Sequence, residues 1–206
     1  MPLTRSYFKM TEIETRKTPE GKMIVTGYAA VFESLSVPLW GFREKIRAGA
    51  FKNTISASDN NIRALWNHNR DYVLGSTGNG SLKLKEDDKG LRFELNIADT
   101  QIGRDGFVSI ERRDVDGMSF SFNAVKQEWD ETDPQNVVRT LIEVDCQEIS
   151  PTAFPAYQDT SISARTAKDD YAEYQESIKR QREQSDNDIR SRMIEMNKRK
   201  LNLNLI

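Results

Sequence analysis

The chain has 206 residues, 37% of them hydrophobic and 30% charged, with 30 basic against 32 acidic side chains and a single histidine. This length suffices for one domain with an appendage, and the near balance of charge excludes the basic excess that is typical of nucleic-acid binders. A single cysteine, Cys146, excludes a disulfide framework and thiolate-rich metal sites, and we interpret it as a small buried hydrophobic residue.

The sequence contains neither a predicted secretory signal nor a predicted membrane-spanning segment. Residues 1–5 are followed by no apolar core, so no secretory signal is expected. No apolar run approaches the roughly 20 residues that a helix needs to span a bilayer. We therefore expect a soluble, cytoplasmic protein with no membrane and no nucleic-acid partner.

The first hundred residues contain segments whose composition and alternation of apolar and polar residues are typical of β-strands. Stretches rich in apolar, β-branched and aromatic residues lie on either side of a turn-like TPEG at 18–21, and they predict two strands. A later pair of alternating segments around Asp87–Gly90 predicts a β-hairpin, the clearest in the sequence. The four predicted strands are 7–15, 23–32, 81–86 and 91–98.

Two helices are predicted in the same region, a short one at 52–57 and a longer one at 100–115. The longer one carries its apolar residues on one side, although Gly103 and Gly106 weaken the prediction by up to about 1 kcal/mol each. Its apolar side comprises Ile102, Phe107, Ile110 and Val115. Two long strands, 118–129 and 137–149, are predicted to follow, joined by a polar turn around Asp133.

The composition changes at Arg165. From 166 to 206 there is no glycine or proline, and both charges are dense. Apolar residues recur at spacings of three and four, which predicts a helix that is either a solvated or loosely ordered tail or a docking helix for a partner assembly. We therefore divide the chain into a mainly β domain with flanking helices, 1–165, and a charged, helical or partly disordered tail, 166–206.

His68 is the only imidazole that the chain can offer for catalysis. It follows the run IRALWN, which predicts a strand ending in a polar turn, a common position for catalytic groups. Taken alone, such a histidine is more often an ordinary surface or capping residue, so its assignment needs support from other segments.

A second candidate lies in GMSFSF at 117–122. In a strand, the period of two sends the apolar side chains to one face and Ser119 and Ser121 to the other. The alternative is a half-exposed strand whose serines face water. A serine nucleophile needs an adjacent base, which only His68 could supply.

Glu148 is the candidate for a third group, which would orient the imidazole. In a regular strand it shares a face with the apolar side chains of Val138, Ile142, Val144 and Cys146. A carboxylate on an apolar face needs a partner, which is either His68 or an arginine in a structural ion pair. A β-bulge nearby would reverse this assignment of faces.

Several segments together resemble the prohead proteases of tailed phages, in the order of that family and over most of 7–165. The histidine motif is LWNHN followed by VLG, the serine motif is DGMSFSF and the closing segment is EISPTAFPAY. These motifs lie at 65–69, 73–75, 116–122 and 148–157, and the segments 27–32 (GYAAVF) and 46–51 (IRAGAF) also fit.

This resemblance implies a serine endopeptidase with Ser119 as nucleophile, His68 as general base and Glu148 as third member. It also implies a fold similar to the herpesvirus assembly proteases, a β-barrel flanked by helices, in which the third member is a second histidine. This chain has none, so a carboxylate is the available substitute. The family commonly has glycine where this chain has Ser121, which leaves Ser121 as an alternative nucleophile. The oxyanion donors are sought in the loop 156–163 or at Arg165.

The implied biology is the cleavage of the scaffolding segment from the capsid precursor, followed by self-digestion, inside the assembling prohead in the host cytoplasm. The implied partner is the capsid precursor, and self-association is kept as a second interaction; no cofactor or metal is expected. Two other functions stay open: a non-catalytic scaffold or assembly factor, and an esterase. The absence of a Gly-x-Ser-x-Gly elbow argues against the esterase.

Overall fold

A computed structural model describes residues 4–9, 13–36, 38–39, 41–59, 61–153 and 161–203, with side chains described outside 4–9, 161–170 and 197–203. The described chain is mainly β with three helices, which confirms the predicted α+β class. The strands are β1 (Thr4–Lys9), β2 (Glu14–Lys17), β3 (Met23–Val31), β4 (Phe42–Ile46), β5 (Arg63–Trp66), β6 (Asn69–Ser76), β7 (Leu82–Glu86), β8 (Gly90–Ile97), β9 (Gly117–Asp130) and β10 (Val137–Thr152). The helices are α1 (Lys52–Ser56), α2 (Gln101–Glu111) and α3 (Ser161–Leu203).

The strands form two sheets. In the first, β9 pairs with β1 and β10, and β10 continues through β5 to β6 while also pairing with β4. The second sheet has the order β2-β3-β8-β7 and contains the predicted hairpin of β7 and β8. Over the described residues both sheets are open, so the predicted closed barrel is not found. The predicted single strand at 7–15 is wrong, because β1 and β2 belong to different sheets.

One apolar core fills the first compact unit, Met1–Thr166. It takes alternate residues from both sheets, as the period of two requires, and one side of α2. Phe51, at the start of α1, contacts Phe120 of β9 edge to face, with ring centroids 5.2 Å apart. Cys146 is fully buried in this core, as predicted.

The two glycines that weakened the prediction of α2 are sites of close packing. A Cβ atom on Gly103 would lie 2.1 Å from the carbonyl oxygen of Ala98. A Cβ on Gly106 would lie 3.2 Å from the ring of Trp66, the last residue of β5. The helix therefore approaches β5 closely because these positions lack a side chain.

A buried ion pair joins β10 to β4. The guanidinium of Arg139 lies 3.2 Å from the Glu44 carboxylate, and both side chains are 2% exposed. The same guanidinium donates to Gln127 at 2.7 Å and lies 5.6 Å from the Trp129 ring centroid. Because the two charges compensate each other away from water, the pair is tolerated in the core.

We expect Glu44→Gln to destabilise the fold by about 3–5 kcal/mol, because it leaves the Arg139 charge buried without its counter-charge. The matched control is Glu128→Gln, which removes the same charge from an exposed pair with Arg47 and should cost under about 1 kcal/mol. Urea denaturation of the two variants measures the difference. Equal losses would show that burial of the Arg139 pair has no energetic consequence.

The second compact unit, Ala167–Ile206, consists of α3 over its described residues, so the predicted helix in the tail is present. Its side chains are exposed or half-buried throughout 171–196. Among the described residues, no helix combines the length and the apolar character needed to cross a bilayer.

Candidate active site

The serine motif forms the start of β9, and its alternation is as predicted. Met118, Phe120 and Phe122 are fully buried in the core. Ser119 and Ser121 therefore point to the opposite face of the sheet, since neighbouring side chains alternate along a strand. Both serines are nevertheless buried, at 0% and 1% exposure, so the alternative of serines facing water is wrong.

A β-bulge in β10 places Glu148 on the serine face. Cys146 pairs with Phe122 on the core side, whereas Glu148 pairs with Ser121, and the register shifts between them. The prediction that Glu148 shares a face with Cys146 is therefore wrong, because the bulge inserts one extra residue and reverses the alternation. The following pair, Ser150 with Ser119, continues on the same face as Glu148.

A second irregularity corrects the other end of that predicted face. The register of β10 also shifts between Leu141 and Glu143. Val138 and Ile142 are consequently only half-buried, whereas Leu141 and Val144 are in the core. The assignment of Val138 and Ile142 to an apolar face with Val144 is therefore wrong.

His68 is presented by the tight turn between β5 and β6. Asn67 and His68 form a two-residue connection in which both have positive φ, 51° and 60°. This is the backbone of a type I′ turn, which the right-handed twist of a hairpin favours and in which asparagine is readily accommodated. Few residue types other than glycine, asparagine, aspartate and histidine adopt this positive-φ conformation readily.

Hydrogen bonds dock the turn onto the end of β10. The Asn67 amide donates to the carbonyl of Pro151 at 3.1 Å, and the His68 amide donates to the Ser150 hydroxyl at 3.2 Å. The Asn67 side chain also accepts from the amide of Ala153 at 3.3 Å. The imidazole is therefore fixed beside the polar face that carries Glu148.

The imidazole contacts the carboxylate directly. Nδ1 of His68 lies 2.6 Å from Oε1 of Glu148, with the two side chains 10% and 8% exposed. An ionised carboxylate can only accept, so Nδ1 carries the proton and Nε2 of a neutral ring is left as the acceptor. The partner of Glu148 is thus the histidine and not an arginine.

Two serine hydroxyls complete the surroundings of the carboxylate. Ser121 donates to Oε1 of Glu148, and Ser150 donates to Oε2 at 2.5 Å. Burial by itself raises the pKa of Glu148, but the bonds from His68 and the two serines outweigh that effect, so the pKa lies below its ordinary value. Glu148 is therefore ionised and fixed in orientation at neutral pH.

Two polar atoms in this cluster are buried without a hydrogen-bond partner among the described residues, Nε2 of His68 and Oγ of Ser119. Buried polar atoms are paired in the great majority of cases, so an unpaired one calls for a specific explanation. Ser119 lies across from Ser150, whose hydroxyl binds the His68 amide. Ser119 and His68 therefore both lie beside Ser150, but the described structure contains no hydrogen bond between Oγ of Ser119 and Nε2 of His68.

The model of the caudovirus prohead serine protease family matches residues 11–177, which is most of the chain and includes every residue of this cluster. The chain belongs to the caudovirus prohead serine protease family. No curated protein and no solved structure matches it significantly. The family indicates a serine protease that associates with capsid precursor proteins inside the assembling prohead of the host cell.

In this prohead protease the sequence analysis missed one member of the cluster, Ser150. The predicted strand ends at 149, one residue before Ser150, whereas β10 continues to Thr152. Had the strand been extended, the spacing of two from Glu148 would have placed Ser150 on the same face. The proposed oxyanion donors fall largely outside the described residues, which omit 154–160 and the side chains of 161–170.

Proposed function

We propose that the chain is a serine endopeptidase that removes the scaffolding segment from the capsid precursor and then digests itself. The observation that carries this proposal is the His68–Glu148 contact, which leaves Nε2 as an unpaired acceptor in the cluster that also holds the unpaired hydroxyl of Ser119. Nucleophile, base and orienting carboxylate are the three parts that acyl transfer by serine requires.

In the proposed reaction, Nε2 of His68 takes the proton of Ser119 as Oγ attacks the peptide carbonyl. The tetrahedral intermediate collapses when His68 returns that proton to the leaving amine, and the acyl group stays on Ser119. Water, deprotonated by the same nitrogen, then releases the carboxyl product and restores the serine. Base catalysis contributes about 10²–10⁴-fold, and each oxyanion donor about 10²–10³-fold.

The hydrogen bonds of the two serines on β9 support Ser119 as the nucleophile. The hydroxyl of Ser121 donates to Glu148 and so helps to hold the carboxylate. The hydroxyl of Ser119 is bound to no described group, so in the proposed reaction it is available to donate to the base. Both Oγ of Ser119 and Nε2 of His68 are closed to solvent, so entry of a substrate requires the residues that cover them to shift.

The domain organisation that we propose assigns the protease to 1–165 and a charged tail to 166–206, which self-digestion would remove. The described strands of that domain form two open sheets. The likeness of the family to the herpesvirus assembly proteases makes a barrel the proposed arrangement of these sheets. A crystallographic structure of the domain would test it, and an open arrangement of the two sheets there would contradict the barrel.

The proposed function is tested by co-expressing the chain with its capsid precursor and measuring the intact masses of both. Wild type should release the scaffolding segment, leave one defined new terminus on the capsid protein, and shorten its own tail. A non-catalytic assembly factor would instead leave both proteins at full mass while still changing the yield of proheads. Unchanged masses in assembled wild-type proheads would contradict the protease.

Glu148→Gln should slow cleavage by a factor on the order of 10²–10⁴ without abolishing it, because the amide no longer stabilises the charged imidazole. Stability should change with pH as well. The folded-state pKa of Glu148 lies below its ordinary value of 4.5, so the carboxylate contributes stability above that pH, which is lost as the pH falls through the folded pKa.

The measurement is the thermal midpoint of wild type and Glu148→Gln from neutral to acid pH, together with the cleavage rate. The difference in midpoint should shrink on acidification, because protonated wild type resembles the amide. A wild-type cleavage rate in the variant would make Glu148 a structural residue only. Asp145→Gln is the control, since Asp145 lies on the same strand and is only half-buried.

A further inference from the structure

A symmetric apolar stripe runs along the described part of α3. Its members lie at successive steps of three, four, eleven, four and three residues, a pattern that reads the same in either direction along the chain. The stripe consists of Tyr171, Tyr174, Ile178, Ile189, Met193 and Met196. The second half is open to solvent, with Ile189, Met193 and Met196 exposed by 52%, 63% and 58%.

The helix keeps this stripe on one face over its whole length. Eleven residues make just over three full turns of an α-helix, so the long central step returns to the same side. Within the 11-residue step from Ile178 to Ile189, two polar residues lie on the same face. They are Arg182 and Ser185, which divide that step into four, three and four residues. Ile194, by contrast, lies on the far side of the helix and is 50% exposed.

We propose that the α3 helices of two copies of this chain pair antiparallel, about a two-fold axis that passes between positions 183 and 184. A two-fold interface uses the same patch on both partners, so the patch must match its own reversed copy. The steps of this stripe do so. The pairing sets Tyr171 against Met196 of the second copy, Tyr174 against Met193, and Ile178 against Ile189.

The distribution of charge favours the antiparallel over the parallel direction. The sequence 169–176 carries four acidic and no basic residues, whereas 190–200 carries five basic residues and one acidic residue. Antiparallel pairing sets 190–200 against 167–177, which contains the acidic segment. Parallel pairing sets each segment against a like-charged copy of itself, which is destabilising.

The polar centre of the stripe fixes the register. In the symmetric arrangement Arg182 of each copy lies opposite Ser185 of the other, between the two apolar clusters. A shift by one turn would bring these polar side chains against apolar ones, and a polar layer of this kind selects one register at some cost in stability. The 11-residue spacing also predicts a straight or slightly right-handed pair.

Sedimentation velocity of the full chain, in a Ser119→Ala background that prevents self-digestion, tests the pairing across a wide range of concentration. We expect a monomer that converts to a dimer. Ile189→Asn should weaken the dimer by about a hundredfold, because the polar side chain enters the interface from both copies. Ile194→Asn is the matched control, the same substitution at equal exposure on the far face, and should leave the dimer unchanged.

A spin label on Ala172→Cys reports the direction of pairing. An antiparallel pair separates the two labels by about 35 Å along the axis, because position 172 lies opposite position 195 and each residue adds about 1.5 Å. A parallel pair keeps the labels side by side. The native Cys146 does not take the label, since burial, with the nearby charges of Glu148 and Asp145, raises the pKa of its thiol far above the usual range.

Three results would each overturn the pairing. The first is a chain that stays monomeric at the highest concentration. The second is a dimer that Ile189→Asn and Ile194→Asn affect equally, which would locate the interface elsewhere. The third is a short distance between the labels. None of these measurements depends on peptide cleavage, so they stand apart from the test of the proposed function.

Discussion

Ser119→Ala should abolish cleavage of the capsid precursor, lowering the rate by about 10⁴-fold or more, because it removes the hydroxyl that we propose forms the acyl-enzyme. The fold should persist, since the substitution removes one buried hydroxyl that has no partner among the described residues. Deleting an unpaired buried polar atom relieves a desolvation cost. We therefore expect a thermal midpoint equal to or above that of wild type.

Ser121→Ala is the matched control, with the same chemical change two residues away on the same face of β9. It removes one of the donors to Glu148, so a loss of about tenfold is expected, in line with one hydrogen bond to a charged group. Labelling by a fluorophosphonate in the presence of the capsid precursor distinguishes the two serines. An adduct that survives Ser119→Ala and disappears in Ser121→Ala would transfer the nucleophile to Ser121.

His68→Asn should remove activity almost as completely, by about 10²–10⁴-fold through loss of the base alone. Asparagine is the informative substitute because residue 68 has a φ of 60°, a conformation that asparagine adopts more readily than alanine does. The turn, its amide bonds to β10 and the register of β5 with β6 should all survive. The variant therefore separates the loss of the imidazole from the loss of the hairpin.

The measurement is the cleavage rate in co-expressed proheads, with circular dichroism and thermal midpoint as evidence of folding. Asn69→Ala, just beyond the turn, is the control and should cleave at nearly the wild-type rate. Some loss of stability is expected in His68→Asn, because the Glu148 carboxylate, which is only 8% exposed, loses the hydrogen bond from Nδ1 of His68. Full activity in a folded His68→Asn protein would end the assignment of His68 as base.

Local pattern was enough wherever the period of a strand was regular. The alternation in 117–122 correctly separated the core residues Phe120 and Phe122 from Ser119, because side chains on a strand must alternate whatever the neighbouring strands do. The hairpin of β7 and β8 was equally accessible, since its turn and both strands are contiguous in the chain. The position of His68 just after a strand was predictable as well, because that strand, β5, and the turn that follows it are also contiguous in the chain.

The pattern failed where a bulge interrupts the ladder. A bulge is a feature of the pairing between strands, and the residue beyond it carries no mark of its own in the sequence. A regular strand consequently predicts Glu148 on the apolar side with Cys146, whereas in the structure it lies across from Ser121. The same bulge turns the Glu148 carboxylate toward His68. The feature of β10 that the sequence did not predict is therefore the one that brings these two side chains together.

Taken alone, the amino-acid sequence determined the mainly β class, the helical tail and the three side chains that could serve a serine peptidase. Only the tertiary structure decided which atoms meet, namely that Nδ1 of His68 binds Glu148 and that Ser121 and Ser150 both support this carboxylate. The physical reason is that composition and periodicity are local properties. The contact of Glu148 with His68 spans 80 residues and depends on a turn with positive φ and on a bulge in another strand.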